Sequence, residues 1–554
     1  MVFARGSSEP VIQFSAVKRC KPLAVLFLLA APLAAEGIKV REVSKDWGID
    51  FVHHHGGSGQ RYMVETMVGG VVMLDFDGDG DEDLFFVDGG ATPGYTGEPA
   101  RSRLFRNDGN GHFTDWTERS GLRVTVYGSG ATAGDIDGDG DLDLLVTGFG
   151  GVQLFRNNGD GTFTDVTKPS GVSDPLWSSS AAFADVDNDG DLDLLVVDYV
   201  DFTFANNKFC GDPKRNLRAY CHPDVYNGQP VRLFRNRGDG TFEDATRAAG
   251  FGGAVGPGLG VVFGDIDNDG WQDVYIANDS KPNFLFRNKR DGTFEDISLL
   301  SGTQLGDKGQ AEAGMGVDLG DYDNDGLLDI VVTNFAQETN ALYRNLGGGA
   351  FLDSRWPAGI AEPSLPFLKF GVAFADLDQD GDLDLVIADG HIQDNTAELN
   401  PGTEYAQRNQ VFENLGNGKF REDKTTGMDV VRVSRGLAAG DLDGDGDLDV
   451  AIGDSNQPCE VYENTTAGGH WLQVSFAAPA GNRFAVGARV ELETAGLKKQ
   501  IRDVKTGSSY ASQNALPVHF GMGRSEKVDR LTVRRPGRVQ VFEGLPADRK
   551  LVVE

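Results

Sequence analysis

Cysteine is scarce in this chain, four in 554 residues, too few for disulfides to carry a fold of that length. Bases are outnumbered by acids, 51 against 84, for a formal charge of −33. That balance excludes nucleic acid as a natural partner, because phosphate binding needs Lys/Arg patches that displace counterions. Beyond the N-terminus no segment could span a membrane, which takes about 20 apolar residues in a helix. There is no zinc-type Cys/His spacing, no nucleophile elbow, and no acid pair apart from one repeated acidic motif, so support for a hydrolytic centre is poor. Glycine, in contrast, is abundant at 75 residues, about twice average usage, which favours tight turns. Hydrophobic residues make up 40% of the chain and alternate regularly, so the acidity is not that of a disordered polypeptide.

Residues 1–35 read as an export signal. A basic stretch (VKRCK, 17–21) precedes a short apolar run (PLAVLFLLAA, 22–31), and Ala34 and Ala35 supply small residues for cleavage. A retained signal anchor is the alternative, and sixteen residues ahead of the basic stretch leave room for a start downstream of Met1. Cys20 would leave with the signal. Cys210 and Cys221 share one loop-like insertion and, in an exported protein, read as a disulfide, with two free thiols as the alternative. Cys459 reads as a small buried hydrophobe. The expected location is periplasmic or extracellular.

One acidic motif recurs seven times: at 75–83 (DFDGDGDED), 135–143 (DIDGDGDLD), 185–193 (DVDNDGDLD), 265–273 (DIDNDGWQD), 321–329 (DYDNDGLLD), 376–384 (DLDQDGDLD) and 441–449 (DLDGDGDLD). A second motif follows most copies, for example FRNDGNGHFTDWT from Phe105 and FRNRGDGTFEDAT from Phe234, with looser versions from Tyr343, Phe412 and Tyr462. It reads as a hairpin: a strand ending in Phe-Arg-Asn, a Gly/Asp turn, and a strand opening at Phe. A small-residue strand precedes each acidic motif and an apolar strand follows it. Four strands per repeat make one propeller blade, the small residues lining the crowded axis. The expected fold is therefore all-β: a seven-bladed β-propeller over 36–466, with residues 40–51 closing the ring as an extra outer strand, then a small β domain over 467–554. Eight blades, or an array that is not a propeller, is the structural alternative.

The acidic motif presents side-chain oxygens at positions 1, 3, 5 and 9. The candidate ligands are Asp75, Asp77, Asp79 and Asp83; Asp135, Asp137, Asp139 and Asp143; Asp185, Asp187, Asp189 and Asp193; Asp265, Asp267, Asp269 and Asp273; Asp321, Asp323, Asp325 and Asp329; Asp376, Asp378, Asp380 and Asp384; and Asp441, Asp443, Asp445 and Asp449. The spacing resembles the start of an EF-hand loop, with Gly at position 6 for the sharp turn, but the Glu at position 12 is missing and Asp at position 9 would close the shell. Hard oxygen ligands in this number favour Ca²⁺, up to seven ions, over Zn²⁺ or Mg²⁺. Solvated Asx turns without an ion are the alternative.

The strand–DxDxDG–strand repeat looks like the FG-GAP/VCBS family, whose integrin α-subunit members form seven-bladed propellers with calcium in such loops. The resemblance covers about residues 71–464. The C-terminal segments GARV from Gly487, GSSYASQN from Gly507, VHFGMG from Val518 and VDRLTVRRPG from Val528 are similar to the ASPIC/UnbV domain, with Arg535-Pro536 where members usually carry Trp-Pro. The combination resembles the cartilage acidic protein family, and YCHPDVYNG from Tyr220 looks like that family's cysteine-bearing insertion. This implies an extracellular calcium-binding protein with an adhesive or regulatory role and no settled ligand.

Read without the family, the C-terminal strands (471–474, 488–492, 531–533, 539–541) suit a compact sandwich or half-barrel packed on the propeller. The insertion 198–231, carrying Lys214, Arg215 and Arg218, is the first candidate for partner contact; exposed aromatics between Tyr199 and Tyr226 would favour it. His53, His54 and His55 read as a solvated loop near ring closure rather than a metal site. Tyr510 and His519 read as structural hydrogen-bonding residues rather than a polar pocket. Arg237-Gly238-Asp239 falls inside a turn that the repeat already explains. The function expected is a non-enzymatic binding or adhesion module with an extracellular protein or glycan ligand. The alternatives are a carbohydrate-active lyase or hydrolase on a propeller scaffold and an accessory factor of a biosynthetic pathway.

Overall fold

The computed structural model describes residues 37–400, 402–478 and 480–554; the expected signal and Cys20 lie outside the described residues. Residues 37–554 form one compact unit.

The chain is all-β, and a sheet is built around each acidic motif. In the first, strands Val71–Leu74, Asp83–Phe86, Arg103–Asn107 and Phe113–Asp115 follow one another across an antiparallel sheet. The acidic loop joins the first strand to the second, and the Phe-Arg-Asn hairpin supplies the third and fourth. Five further sheets repeat this order, the third carrying an extra short strand, Val255–Gly256. The seventh takes Ser434–Gly440, Asp449–Asp454 and Glu460–Asn464 from the end of the repeat region. Its fourth strand is Val40–Glu42, with Val40 opposite Asn464.

Small side chains let the first strands crowd together. Every residue of Tyr127–Gly134, Ser178–Ala184 and Ser434–Gly440 is buried. A Cβ on Gly371 would sit 2.7 Å from the Leu437 side chain, and one on Gly436 2.6 Å from the Gly69 carbonyl. The first strand of each sheet packs on that of the next, and that of the seventh packs on that of the first. Second strands are apolar on both faces because each sheet is sandwiched between two others. Leu194 and Val196 of Asp193–Asp198 enter one apolar cluster, and Leu195 and Val197 the next.

After Asn464 the chain forms two more sheets. Val518–Gly523, His470–Phe476 and Arg549–Val553 make one; Gln500–Asp503, Arg489–Glu493, Lys527–Arg535 and Arg538–Pro546 make the other. Leu472, Val474, Val490 and Leu531 share one apolar cluster with Leu74, Leu144 and Leu194 of the first three sheets.

One surface condition goes largely unmet and one surface expectation changes. In the 198–231 insertion, Cys210 and Cys221 form a disulfide; Phe209 is exposed, but Tyr199, Phe202, Tyr220 and Tyr226 are buried and so do not favour a binding rim. Tyr199, Phe202 and Tyr226 pack with Met63, Met67 and Trp177, because an apolar end of the sheet array has to be covered, and the Tyr220 hydroxyl donates to Glu65 at 2.7 Å. His53 is not solvated either. It is 1% exposed, its Nδ1 accepts from the Asn456 amide at 3.0 Å, and burial pushes its pKa down to about 4. Asp88 draws the loop inward by accepting from the His54 amide at 2.5 Å. Cys459 is a free, buried cysteine.

Candidate metal centres

The seven acidic loops share one geometry. Gly at position 6 has φ between +86° and +99° in every copy, which a residue with a Cβ adopts only under strain. Its amide donates to the position-1 carboxylate in the first six loops, at 2.9 Å from Gly80 to Asp75 and 3.0 Å from Gly140 to Asp135. Position 9 opens the second strand. Its Oδ2 accepts from the amide of position 2, as Phe76 to Asp83 at 2.9 Å and Leu442 to Asp449 at 2.8 Å. Its Oδ1 accepts from the Asn that ends the third strand, as Asn107 to Asp83 and Asn464 to Asp449. Both bonds recur in the other five loops.

This geometry gathers carboxylate oxygens. Within 4.8 Å of one another lie ligand atoms of Asp75, Asp77 and Asp83; Asp135, Asp137 and Asp143; Asp185, Asp187 and Asp189; Asp265, Asp267 and Asp269; and Asp321, Asp323 and Asp325; two more groups of this kind occur. Oδ1 of Asp137, Asp187, Asp267, Asp323 and Asp378, all at position 3, is buried with no hydrogen-bond partner. A buried, unpartnered anionic oxygen is costly, and a hard divalent cation is the group that such an oxygen set fits. Burial pushes the position-1 carboxyls up, Asp75, Asp265 and Asp321 to about 6 and Asp135, Asp185 and Asp376 to about 7. The position-9 carboxyls rise further for the same reason, Asp193 to about 8 and the rest well above their usual range.

Three features of this face escape sequence reasoning. The first is the Asn of the Phe-Arg-Asn hairpin, which clamps neighbouring sheets. Nδ2 of Asn157, Asn236, Asn288, Asn345, Asn414 and Asn464 donates to the position-2 carbonyl of the preceding sheet's loop, at 2.7–2.9 Å. Asn107 of the first sheet reaches Leu442 of the seventh at 2.7 Å. The repetition of this Asn is the signal that could have found it. The second is position 4, where Asn188, Asn268, Asn324 and Gln379, all at positive φ, donate to the position-6 carbonyl of the next loop.

The third is the C-terminal segment around GSSYASQN, which runs along the first strands. Ser509 exchanges backbone bonds with Val317, and Gln513 with Val71 and Met73. Ala131 donates to Ala511 O, Ala515 to Ala439 O, Phe183 to Thr506 Oγ1 at 2.7 Å and Val372 to Ser509 Oγ at 2.9 Å. Six of the seven first strands are thus joined to one segment; the fourth sheet is held by Arg489, whose Nη2 donates to Asp265 O at 2.9 Å. Tyr510 is buried on Phe370, ring centres 4.8 Å apart, and His519 Nε2 lies 2.9 Å from Gly446 O.

An all-β repeat protein with convergent carboxylates in the loops between strands is the class these features define. The chain belongs to the FG-GAP-like repeat family, whose model matches residues 75–146, 135–196, 221–276, 265–332, 321–387 and 397–452; residues 478–554 match the ASPIC and UnbV family. Among its relatives, cartilage acidic protein 1 of Homo sapiens is 31% identical over 300 residues, 52% of this chain and 42% of that protein. The Xenopus tropicalis protein of that name is 30% identical over 280 residues, 49% of this chain and 40% of that protein. The chain thus covers about two fifths of these relatives' length. An Agrocybe aegerita lectin structure overlaps 64% of this chain and 79% of its own, at 19% identity and a TM-score of 0.35.

Proposed function

We propose that the chain is an exported, calcium-stabilised binding module: a closed seven-bladed propeller over 36–466 whose acidic-loop face is capped by the β domain over 467–554. The observation that carries the calcium reading is the set of buried, unpartnered position-3 oxygens, repeated in loops two to six. Positions 1, 3, 5 and 9 would hold the ion, with Asp139, Asp445 and their equivalents completing the shell. Seven divalent ions would offset fourteen of the 33 excess negative charges and tie the first two strands of each blade together. The Asn clamp from the first sheet to the seventh supports closure.

A binding role fits better than catalysis because the C-terminal segment lies along the inner strands, where a propeller enzyme would admit substrate. Ligand contact falls instead to the opposite end. There a cavity of about 160 Å³, lined among others by Met63, Tyr199, Tyr220, Asp279 and Glu338, lies beside the disulfide-bonded insertion. Its apolar walls with a few convergent polar groups suit part of an extracellular protein or glycan. Export is supported by that disulfide and by the N-terminal signal pattern. No helix among the described residues is long and apolar enough to cross a membrane.

The test is the melting temperature of the mature chain in Ca²⁺, Mg²⁺ and EDTA. A Ca²⁺-specific rise that grows with concentration is expected for ions bound to the native state. Equal melting in all three buffers would overturn the calcium reading.

A further inference from the structure

The residue after the aromatic of the hairpin motif faces position 3 of its own loop, and its charge changes along the chain. It is arginine in the first five sheets (Arg106, Arg156, Arg235, Arg287, Arg344) and glutamate in the last two (Glu413, Glu463). In the third, fourth and fifth sheets a guanidinium already sits on the loop carboxylates. Arg235 pairs with Asp187. In the fourth sheet Arg287 pairs with Glu295 and acts on Asp267 only through space, and the guanidinium on the loop is that of Arg290 in the following turn, its Nε 2.7 Å from Asp269. Arg344 lies 2.5 Å from Asp323 and 2.9 Å from Asp325. Arg106 and Arg156 stand within electrostatic reach of Asp77 and Asp137.

The sixth and seventh loops are built differently at a second, independent place. In loops one to five both oxygens of the position-1 carboxylate accept backbone amides. In loop six Asp376 accepts from Gly381 and Gly521 on Oδ2 alone, and its Oδ1 is buried without a partner. In loop seven Asp441 accepts from Gly444 on Oδ1, and its Oδ2 is left without a hydrogen bond. These two residues are 1% and 2% exposed. Lys550 Nζ pairs with that Oδ2 of Asp441 at 3.4 Å, so the open oxygen of the seventh loop is partly neutralised. Arg502 stands within electrostatic reach of Asp376 but spends its hydrogen bonds on Ile501 O and Gln500 Oε1. Among the described residues, Glu413 and Glu463 pair with the surface arginines Arg421 and Arg41 and with no other base.

We infer that the seven loops are not equivalent, and that the sixth and seventh are the high-affinity divalent-cation sites, with Glu413 and Glu463 as the residues that set this rank. The inference rests on the calcium reading above. A loop that already holds a guanidinium has its charge neutralised, and an arriving Ca²⁺ must displace or repel that group; loops six and seven each gain from an added carboxylate, and loop six gains also from a free position-1 oxygen.

The test is a calorimetric Ca²⁺ titration of the full mature chain after chelation, with Tb³⁺ luminescence as a second readout. Two sites are expected to bind at least about tenfold more tightly than the rest, as site affinity follows ligand charge. Glu413→Arg with Glu463→Arg should remove the tight class, and Arg344→Glu, at a half-exposed side chain, should add a third tight site. Melting of each variant in EDTA checks that it folds. One uniform class of sites, or a tight class that survives the double substitution in a folded protein, would overturn the ranking while leaving calcium binding in place. No binding by the unaltered chain would overturn both.

Discussion

The side chain of Asn288 shows how much one residue of the repeat does. Its Nδ2 donates to Val186 O of the preceding sheet at 2.8 Å and to Gln272 O at 3.3 Å, and its Oδ1 accepts from Arg290 N at 3.0 Å and Gly292 N at 3.3 Å. All four partners are backbone groups. Asn288→Ala would leave them unpaired, at about 1–3 kcal/mol for each group truly buried. Urea unfolding should show a clear loss of stability with an unchanged m-value. Lys289→Ala, in the exposed turn that follows, serves as the control and should change stability little. The sequence displays this Asn in every repeat, yet it reads there only as a strand end, because its partner lies one sheet away. The carboxylates are the opposite case. Their spacing within nine residues is enough to single out positions 1, 3, 5 and 9, since a loop ligand set is local. What spacing cannot convey is that position 9 also fastens the third strand through the Asn amide.

Among elements, the segment 506–515 matters out of proportion to its length. It forms no regular strand of its own, yet it bonds to first strands from six sheets. Gln513 Oε1 accepts from Thr132 Oγ1 at 2.6 Å and from Ala133 N at 2.8 Å. Gln513→Ala should therefore destabilise the chain by about 1–3 kcal/mol, the cost of orphaning a buried amide. Because both parts belong to one compact unit, thermal unfolding should remain a single transition; a separate early transition would mean that the C-terminal sheets melt alone. Four of the seven C-terminal strands are legible from alternation, while Gln500–Asp503, Val518–Gly523 and Arg549–Val553 are not, and the first strands of the repeats are legible from their small residues. The segment itself is not, because its partners are hundreds of residues away and leave no local period. The buried aromatics of the insertion mislead for a related reason: a run of Tyr and Phe in a long loop looks alike whether it faces solvent or covers an apolar surface.

For the molecule as a whole, the acidity is the quantity that has to be explained. In the ion-free chain, burial raises Asp135, Asp185 and Asp376 from 3.8 to about 7. The folded state then binds more protons than the unfolded state between those values, so these groups make stability fall as pH rises from about 4 to about 7. Calcium needs the same carboxylates ionised, so its binding releases protons and strengthens over that window. The difference in melting temperature between Ca²⁺ and EDTA should therefore widen from pH 5 to pH 8. A constant difference would separate the ions from these carboxylates. The most direct measurement is a crystal structure of the mature chain grown with calcium, with anomalous differences collected at long wavelength to locate the ions. The account predicts anomalous peaks inside the acidic loops, within coordination distance of the carboxylates at positions 1, 3 and 5, in a ring of seven sheets. Well-ordered loops in millimolar calcium with no peak at any of them would contradict it.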